Sequence, residues 1–353
     1  MKKLPINLKP PIITECWSFY RLSILNQTNY FNDWFINHFN NLTMNDQYSI
    51  YYGENGYQYN QLHYYNELLK TDYINISNID SCEEFCNILI NLINDDTYCV
   101  IECDCNVINE QEETYIHELF IYGYDNDYFI CSYLENNIWI EDKIHCGNAF
   151  KAFEKRRKID NITKESNYLS YRTYRYPFMT LKLKKNIDYK CNIYMFQQDL
   201  DKAFYSSYKF DYNKSSMYNY INRKIWYGPC GVINGLIEYL DTFINNKLAS
   251  FDYYKANINM KKCCEYHDLM YKKIQKVNRE FNINLPDYIF DLYQLEINNF
   301  NICLSLCIKS GEAENIENLI KAKERLSIIK TKIENIYGDL LARMNQYIIN
   351  NYE

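Results

Sequence analysis

The chain has 353 residues and a formal net charge of −7, with 47% hydrophobic and 24% charged residues. Its basic residues are spread along the sequence, whereas a nucleic-acid-binding protein carries a basic face or stripe, so we expect no nucleic-acid partner. The sequence has neither a secretion signal nor an apolar run of membrane-spanning length, which predicts a cytoplasmic protein without a membrane partner. Its 14 cysteines should therefore be reduced.

The cysteine spacing does not match a metal site. No CxxC pair occurs, and there is no glycine-rich phosphate loop, so we expect neither a metal nor another cofactor. Cys82 and Cys86 are four residues apart on a helical pattern, as are Cys303 and Cys307. We interpret both pairs as small apolar core residues.

Cys16 differs from the other cysteines in its position. It opens the amphipathic run 17–25 behind Pro10 and Pro11, which predicts a helix with the thiol at its amino terminus. The unpaired N–H groups and the helix dipole stabilise a thiolate at such a position. The thiolate is the reactive form, so Cys16 is the candidate nucleophile.

Residues 80–145 alternate between helix and strand patterns. A capped helix is predicted over 80–95, followed by strands over 97–108, 115–124 and 128–134. Asn126 and Asp127 are typical of a two-residue hairpin turn, and Asn136 with Asn137 is a candidate for a second turn before residues 138–140. These patterns predict an antiparallel sheet.

The second half of the chain has mainly helical periodicity. A strand is predicted over 178–183, and helices from residue 198 onward, with a break at 227–231. Apolar residues recur at three- and four-residue steps from Met260 to Val277 and from Leu319 to Leu340. The second stripe could pack in a helical hairpin or form the seam of a homodimer.

His117 is the best candidate for a base that activates Cys16. Cysteine catalysis needs an imidazole to accept the thiol proton and later return it. His117 lies on a predicted strand before a tight turn, and a cysteine at a helix start followed by a histidine in a hairpin is the chain order of papain-like enzymes. His267, by contrast, lies on an apolar helical stripe, where a core role is expected.

Residues 100–104 (VIECD) and 115–125 (YIHELFIYGYD) resemble the amino-terminal domain of the butirosin H-type proteins, which are papain-like cysteine transacylases. That family acts in nonribosomal peptide and polythioamide biosynthesis and is related to bacteriocin-processing peptidases. Residues 226–228 (WYG) and 264–270 (CEYHDLM) are similar to helical motifs of its carboxy-terminal part. The resemblance implies an α+β fold: a papain-like catalytic domain over 1–150, a connecting segment over 151–197 and a helical domain over 198–353.

The same resemblance implies roles for individual residues. Cys16 matches the nucleophile and His117 the base, but the acid that the family carries on the following strand is missing. If the hairpin turn is Asn126-Asp127, Asn136 lies opposite His117 and could orient its ring; Asp104 and Glu135 are the alternatives. No glutamine stands clearly upstream of Cys16, so the backbone N–H of Cys16 or Trp17 would have to bind the oxyanion.

The implied activity is acyl transfer through an acyl-Cys16 intermediate. An acyl or peptidyl group would pass from the phosphopantetheine thioester of a carrier protein to a small amine. Two alternatives remain open at this point: a cysteine peptidase or amidase of the same fold, and a binding protein with a decayed site.

Overall fold

The computed structural model describes residues 1–53, 62–74, 79–108, 111–135, 138–162, 178–205, 210–211, 224–245, 252–313 and 315–352. In chain order, the elements of these ranges are β1 Lys2–Lys3, α1 Cys16–Leu25, α2 Phe31–Ile36, β2 Leu42–Met44, β3 Ile50–Tyr52, α3 Leu62–Tyr65, β4 Leu69–Tyr73, α4 Cys82–Asn94, β5 Tyr98–Asp104, α5 Cys105–Ile108, β6 Ile116–Asp125, β7 Tyr128–Glu135, β8 Ile138–His145, α6 Cys146–Ile162, β9 Phe178–Leu183, α7 Ile193–Tyr205, β10 Phe210–Asp211, β11 Lys224–Tyr227, α8 Gly228–Asn245, α9 Tyr253–Phe281, α10 Asp287–Ala313 and α11 Ile316–Tyr352.

These elements form two compact units. The first, which we call the sheet unit, consists of Met1–Asn29 and Tyr65–Ile187; the second, the helical unit, consists of Tyr30–Tyr64 and Asp188–Glu353. The expected α+β class, a sheet-bearing part and a helical carboxy-terminal part, is confirmed at this level. The predicted domain boundaries at residues 150 and 198 stay a prediction.

The sheet unit is built on an antiparallel sheet with the strand order β4-β9-β5-β6-β7-β8. Strand β5 pairs with β6 as far as Ile121, and the short strand β1 pairs with the following β6 residues Gly123 and Tyr124. Strand β9 lies between β4 and β5, so this part of the predicted connecting segment belongs to the sheet itself. The strand predicted over 97–108 ends at Asp104, because residues 105–108 form the helical turn α5.

Helices cover both faces of this sheet. Arg21 of α1 reaches Met179, whereas Phe85 of α4 packs against Phe178, the preceding residue of β9. Since successive strand residues point to opposite faces, α1 and α4 lie on opposite sides of the sheet. Helix α6 joins α4 through the stacked rings of Phe85 and Phe153.

The hairpin of β6 and β7 carries His117. Its turn is the predicted Asn126-Asp127, with Asn126 in the left-handed region at φ 51°. One extra residue between Ile121 and Gly123 forms a β-bulge, which shifts the pairing register of the two strands. The bulge coincides with the site where β1 joins β6: a side chain at Gly123 would lie 2.8 Å from the carbonyl oxygen of Lys2.

The helical unit contains α7 to α11, together with α2 and a four-stranded sheet of order β10-β11-β2-β3. Polar side chains of α9 bind the backbone between residues 38 and 50: Lys262 Nζ donates to the carbonyl of Ile50, and the Tyr266 hydroxyl to that of Asn40. The predicted helix over 232–243 begins earlier, at Gly228, because Pro229 fits the first turn of a helix.

The apolar stripe from Leu319 to Leu340 lies on α11 and is buried within the helical unit itself. It is therefore not an exposed dimer seam, and its packing corresponds to the other expectation, a helical hairpin with α10. None of the described helices is long and apolar enough to cross a membrane.

Candidate active site

Cys16 is the first residue of α1, as the sequence predicts. Glu15 precedes it in an extended conformation, and its carbonyl oxygen accepts the first backbone hydrogen bonds of the helix, from Ser18 and Phe19. The N–H groups of Cys16 and Trp17 belong to the first turn of the helix, where backbone donors point out of the helix end. The thiol is half-buried, so a substrate can approach it.

The structure brings Cys16 and His117 together across 101 positions of sequence. The Sγ atom of Cys16 lies 3.2 Å from Nε2 of His117, within hydrogen-bond distance. His117 is the second residue of β6, and 13% of its side chain is exposed. An imidazole at this distance can accept the thiol proton directly.

A carboxylate lies on the other side of the imidazole ring. Oε2 of Glu118 is 3.2 Å from Nδ1 of His117, and 16% of the Glu118 side chain is exposed. The two groups are not aligned for a hydrogen bond, and within the part of the chain that the structure describes, Nδ1 has no hydrogen-bond partner. The contact is therefore a close approach of the carboxylate to the imidazole and not a hydrogen bond.

The residue expected to orient His117, Asn136, lies outside the described residues. The prediction of Asn136 assumed one pairing register along the whole hairpin, and the bulge changes that register. Between the turn and the bulge Tyr124 pairs with Phe129, whereas on the far side of the bulge Phe120 pairs with Ser132. Counted on by three residues along each strand from Phe120 and Ser132, the shifted register leads to Glu135 opposite His117, and the role expected of Asn136 stays a prediction. The turn was thus predicted correctly, and the bulge displaced its register by one residue.

The other alternative, Asp104, already has partners at the junction of β5 and β6. Its Oδ1 atom accepts hydrogen bonds from the backbone N–H of Asn106 and Tyr115, and Oδ2 lies 2.7 Å from Nζ of Lys155. The carboxylate is fully buried. These contacts give Asp104 a structural role in holding the chain that leads into β6.

Aromatic rings surround the His117 imidazole. Tyr115 lies nearly parallel to it at 5.5 Å, and Trp139 of β8 meets it edge-on at 6.0 Å. Trp139 in turn stacks on Phe19 of α1 at 3.8 Å, which links the helix that carries Cys16 to the sheet that carries His117. Together with the surrounding chain, these rings leave 13% of the His117 side chain exposed.

A buried arginine supports the helix below the thiol. The Arg21 guanidinium donates to the carbonyl oxygen of Trp17 and to the hydroxyl of Tyr20, and it lies over the ring of Tyr65. Burial raises the pKa of Tyr65 above its ordinary value, so its hydroxyl stays neutral. These contacts fix the first two turns of α1.

Donor atoms of Cys16, His117 and Glu118 all lie within 4.8 Å of one another. Thiolate, imidazole and carboxylate are ligands that zinc accepts, and a catalytic zinc site has three protein ligands. The carboxylate, however, lies on the Nδ1 side of the ring whereas the thiol lies on the Nε2 side. That order is the one a thiol–imidazole–carboxylate relay requires.

Glu118 was not among the residues that the sequence singled out. Neighbouring strand residues point to opposite faces, so pattern reasoning separates Glu118 from His117. In the sequence, the feature that could have indicated Glu118 was its position directly after His117, the candidate base.

The sequence matches no protein-family model, and no curated protein matches it. The likeness to the butirosin H-type proteins therefore depends on the short motifs alone and remains a prediction.

Proposed function

We propose that this protein is a cysteine-dependent acyltransferase that works through an acyl-Cys16 intermediate. The observation that carries the proposal is the 3.2 Å contact between Cys16 Sγ, at the start of α1, and Nε2 of His117. A thiol at a helix amino terminus next to an imidazole is the arrangement that generates a nucleophilic thiolate.

In the first half-reaction, His117 takes the proton of Cys16 and the thiolate attacks a thioester carbonyl. The C–S bond to the leaving thiol breaks as the new C–S bond to Cys16 forms, and His117 returns its proton to the departing sulfur. In the second half-reaction an amine attacks the acyl-Cys16 carbonyl and gives a proton to His117. An amide is released, and the proton returns to Cys16.

The oxyanion of each tetrahedral intermediate needs hydrogen-bond donors. The N–H groups of Cys16 and Trp17, in the first turn of α1, are the donors nearest to the nucleophile in sequence. Glu118 would stabilise the imidazolium that forms in both half-reactions, because its carboxylate faces Nδ1. No step of this scheme draws on a cofactor.

The substrates that we propose follow from the motif resemblance. The donor is an acyl or peptidyl group carried as a phosphopantetheine thioester by a carrier protein, and the acceptor is a small amine. The same resemblance supports a papain-like arrangement of α1 and the sheet and a place in the biosynthesis of a secondary metabolite. The cytoplasmic location expected from the sequence is part of the proposal.

Intact-protein mass spectrometry with an acyl-loaded carrier protein tests the proposal. We expect the wild type to gain the mass of one acyl group, Cys16→Ala to gain none, and His117→Ala to react at least about a hundredfold more slowly, because it lacks the base. An added amine should discharge the adduct as an amide.

Two substitutions serve as matched controls. Cys82 also begins a helix of the sheet unit, and His145 ends a strand of the same sheet. Cys82→Ala and His145→Ala should acylate like the wild type. Discharge of the adduct to water alone would indicate a peptidase or amidase, and a folded wild type that forms no adduct with several acyl carriers would indicate a binding protein.

A further inference from the structure

A second stripe of mainly apolar residues runs along α10, on a different side of the helix from its buried residues. Its members recur at steps of three and four residues, the spacing of a coiled-coil seam. The stripe consists of Tyr288, Leu292, Leu295, Asn299, Ile302 and Leu306, which we call the outer stripe. Leu292, Leu295 and Ile302 are between 38% and 52% exposed, whereas Phe300 and Cys303 of the same helix are completely buried. An exposed row of this kind is typical of an interaction surface.

Helix α10 is already fixed in the orientation that presents the outer stripe. At one end of the stripe, the Tyr288 hydroxyl donates to Oδ2 of Asp339 on α11, at 3.0 Å. Near its middle, Oδ1 of Asn299 accepts a hydrogen bond from Nη1 of Arg325, also on α11, at 2.6 Å. These two polar members of the stripe therefore bind within the chain, and the aliphatic members face solvent. Docking on this face would cost little ordering of the helix.

We propose that the outer stripe is the seam of a homodimer in which α10 packs antiparallel against α10 of a second copy. In a two-fold interface, every contact between two positions recurs with the copies exchanged. The steps of the outer stripe read the same in both directions along the helix, so a two-fold axis at the level of residue 297 satisfies this condition. The facing positions are then 288 with 306, 292 with 302, and 295 with 299.

Charges beside the outer stripe favour a second, antiparallel copy as its occupant. Asp287 and Asp291 lie near the start of α10 and Lys309 near its end, and all three are exposed. Asp291 and Lys309 are five full turns apart, so they lie on the same side of the helix. In the antiparallel pair, Lys309 of each copy comes within about 3 Å, along the helix axis, of Asp287 of the other copy. A parallel pair would instead place aspartate against aspartate and lysine against lysine.

Analytical ultracentrifugation of the full-length, reduced protein tests the seam. We expect twice the mass of one chain, and we expect Leu295→Glu and Ile302→Glu each to weaken dimerisation at least about a hundredfold, since both copies then place a carboxylate in the apolar seam. Ile308→Glu is the matched control, because Ile308 lies on the same helix and is 39% exposed but does not belong to the outer stripe. It should dimerise like the wild type.

A charge exchange tests the antiparallel arrangement. Lys309→Glu should weaken the dimer about fivefold, because it places two carboxylates at each end of the seam. Adding Asp287→Lys in the same chain re-forms the ion pair with its signs exchanged, so the double variant should recover the wild-type affinity. A dimer that the double variant does not recover would contradict the antiparallel arrangement.

Circular dichroism of each variant shows whether a loss of dimer is a loss of fold. Leu295 and Ile302 are exposed, so their glutamate variants should keep the helical signal of the wild type while they lose the dimer. A wild type that stays monomeric at about 0.1 mM would overturn the proposal, as would a dimer that both glutamate variants retain. A monomer whose outer stripe binds an acyl carrier protein, in a complex that Leu295→Glu abolishes, would assign the stripe to that partner instead.

Discussion

Two glutamates of the sheet unit are candidates for orienting the His117 ring: Glu118, by its 3.2 Å distance from Nδ1, and Glu135, by the strand register counted on from Phe120 and Ser132. We expect Glu118→Gln to slow the acylation of Cys16 by about tenfold, since it removes the charge that faces Nδ1 during imidazolium formation. Glu135→Gln should stay within about twofold of the wild type. The rate of adduct formation in a quenched mass-spectrometric assay measures both, and the reverse ranking would assign the orienting role to Glu135.

At the residue scale, the sequence predicts the nucleophile and base but not the groups around them. Cys16 and His117 follow from local signals, a helix start and a strand before a turn. The position opposite His117 depends on the register, which one bulge changes. Gly123 is the sequence feature that indicates such a change of register, since an isolated glycine in a strand often marks a bulge or a close backbone approach. In this structure Gly123 lies at both.

His267 titrates in a way that links pH to stability. It is fully buried, stacks on Phe300 and lies 3.1 Å from the hydroxyl of Tyr293, as expected of a core histidine. Burial lowers its pKa to about 3, below the ordinary value near 6.5. Between these values the unfolded chain binds a proton that the folded protein does not, so the free energy of unfolding falls as the pH falls.

The loss should approach 1.4 kcal/mol for each pH unit below about 6. Urea unfolding at several pH values measures it. His267→Gln should be less stable at neutral pH yet lose less stability on acidification than the wild type. His145→Gln, an exposed histidine, should keep the wild-type slope. Equal slopes in His267→Gln and the wild type would show that His267 does not contribute.

At the element scale, the two faces of α11 allow a direct comparison. Leu326 is completely buried, whereas Ile328, two residues further on, is 60% exposed. Leu326→Ala should lower the free energy of unfolding by about 2–5 kcal/mol, because it removes buried methyl groups and leaves a cavity. Ile328→Ala should change it by no more than about 0.5 kcal/mol.

Light scattering alongside the urea titration completes this test. Because the stripe is buried within the chain, Leu326→Ala should change stability without changing the mass in solution. If Leu326→Ala instead halved the mass in solution without changing stability, the stripe from Leu319 to Leu340 would be identified as a dimer seam.

Helix stripes and capped helix starts are the elements that the sequence predicts best. Helix α4 begins where expected, and the Ser81 side chain accepts a hydrogen bond from the N–H of Glu84. Element ends are harder to predict: an alternating pattern continues past Asp104, although the chain turns there into α5. The predicted break is present: β11 ends at Tyr227, and Gly228 has a left-handed φ of 73° before α8 continues. Pro229 lies in the first turn of α8, where proline costs no hydrogen bond.

At the scale of the whole molecule, the two units are interleaved along the chain. Residues 30–64 belong to the helical unit although they lie between two segments of the sheet unit. No local pattern identifies this membership, since it depends on distant contacts such as Asp33 with Lys276 and Phe35 with Lys273. A domain division based on hydrophobic periodicity alone therefore assigns residues 30–64 to the amino-terminal domain.

This interleaving predicts how the chain responds to truncation. A protein that ends at residue 187 keeps residues 30–64 but loses the rest of the helical unit, so Phe31, Trp34 and Phe35, all buried, become exposed. We expect it to aggregate. If a flexible glycine-serine linker replaces residues 30–64, the shortened protein should be more soluble, because it consists of the sheet unit alone.

Both candidate catalytic residues, Cys16 and His117, lie in that unit. Cys16 of the shortened protein should therefore still react with a small thioester, and Cys16→Ala in the same background should not. Gel filtration and intact-protein mass spectrometry measure the two properties. A folded, soluble sheet unit whose Cys16 does not react would mean that the nucleophile also depends on the helical unit.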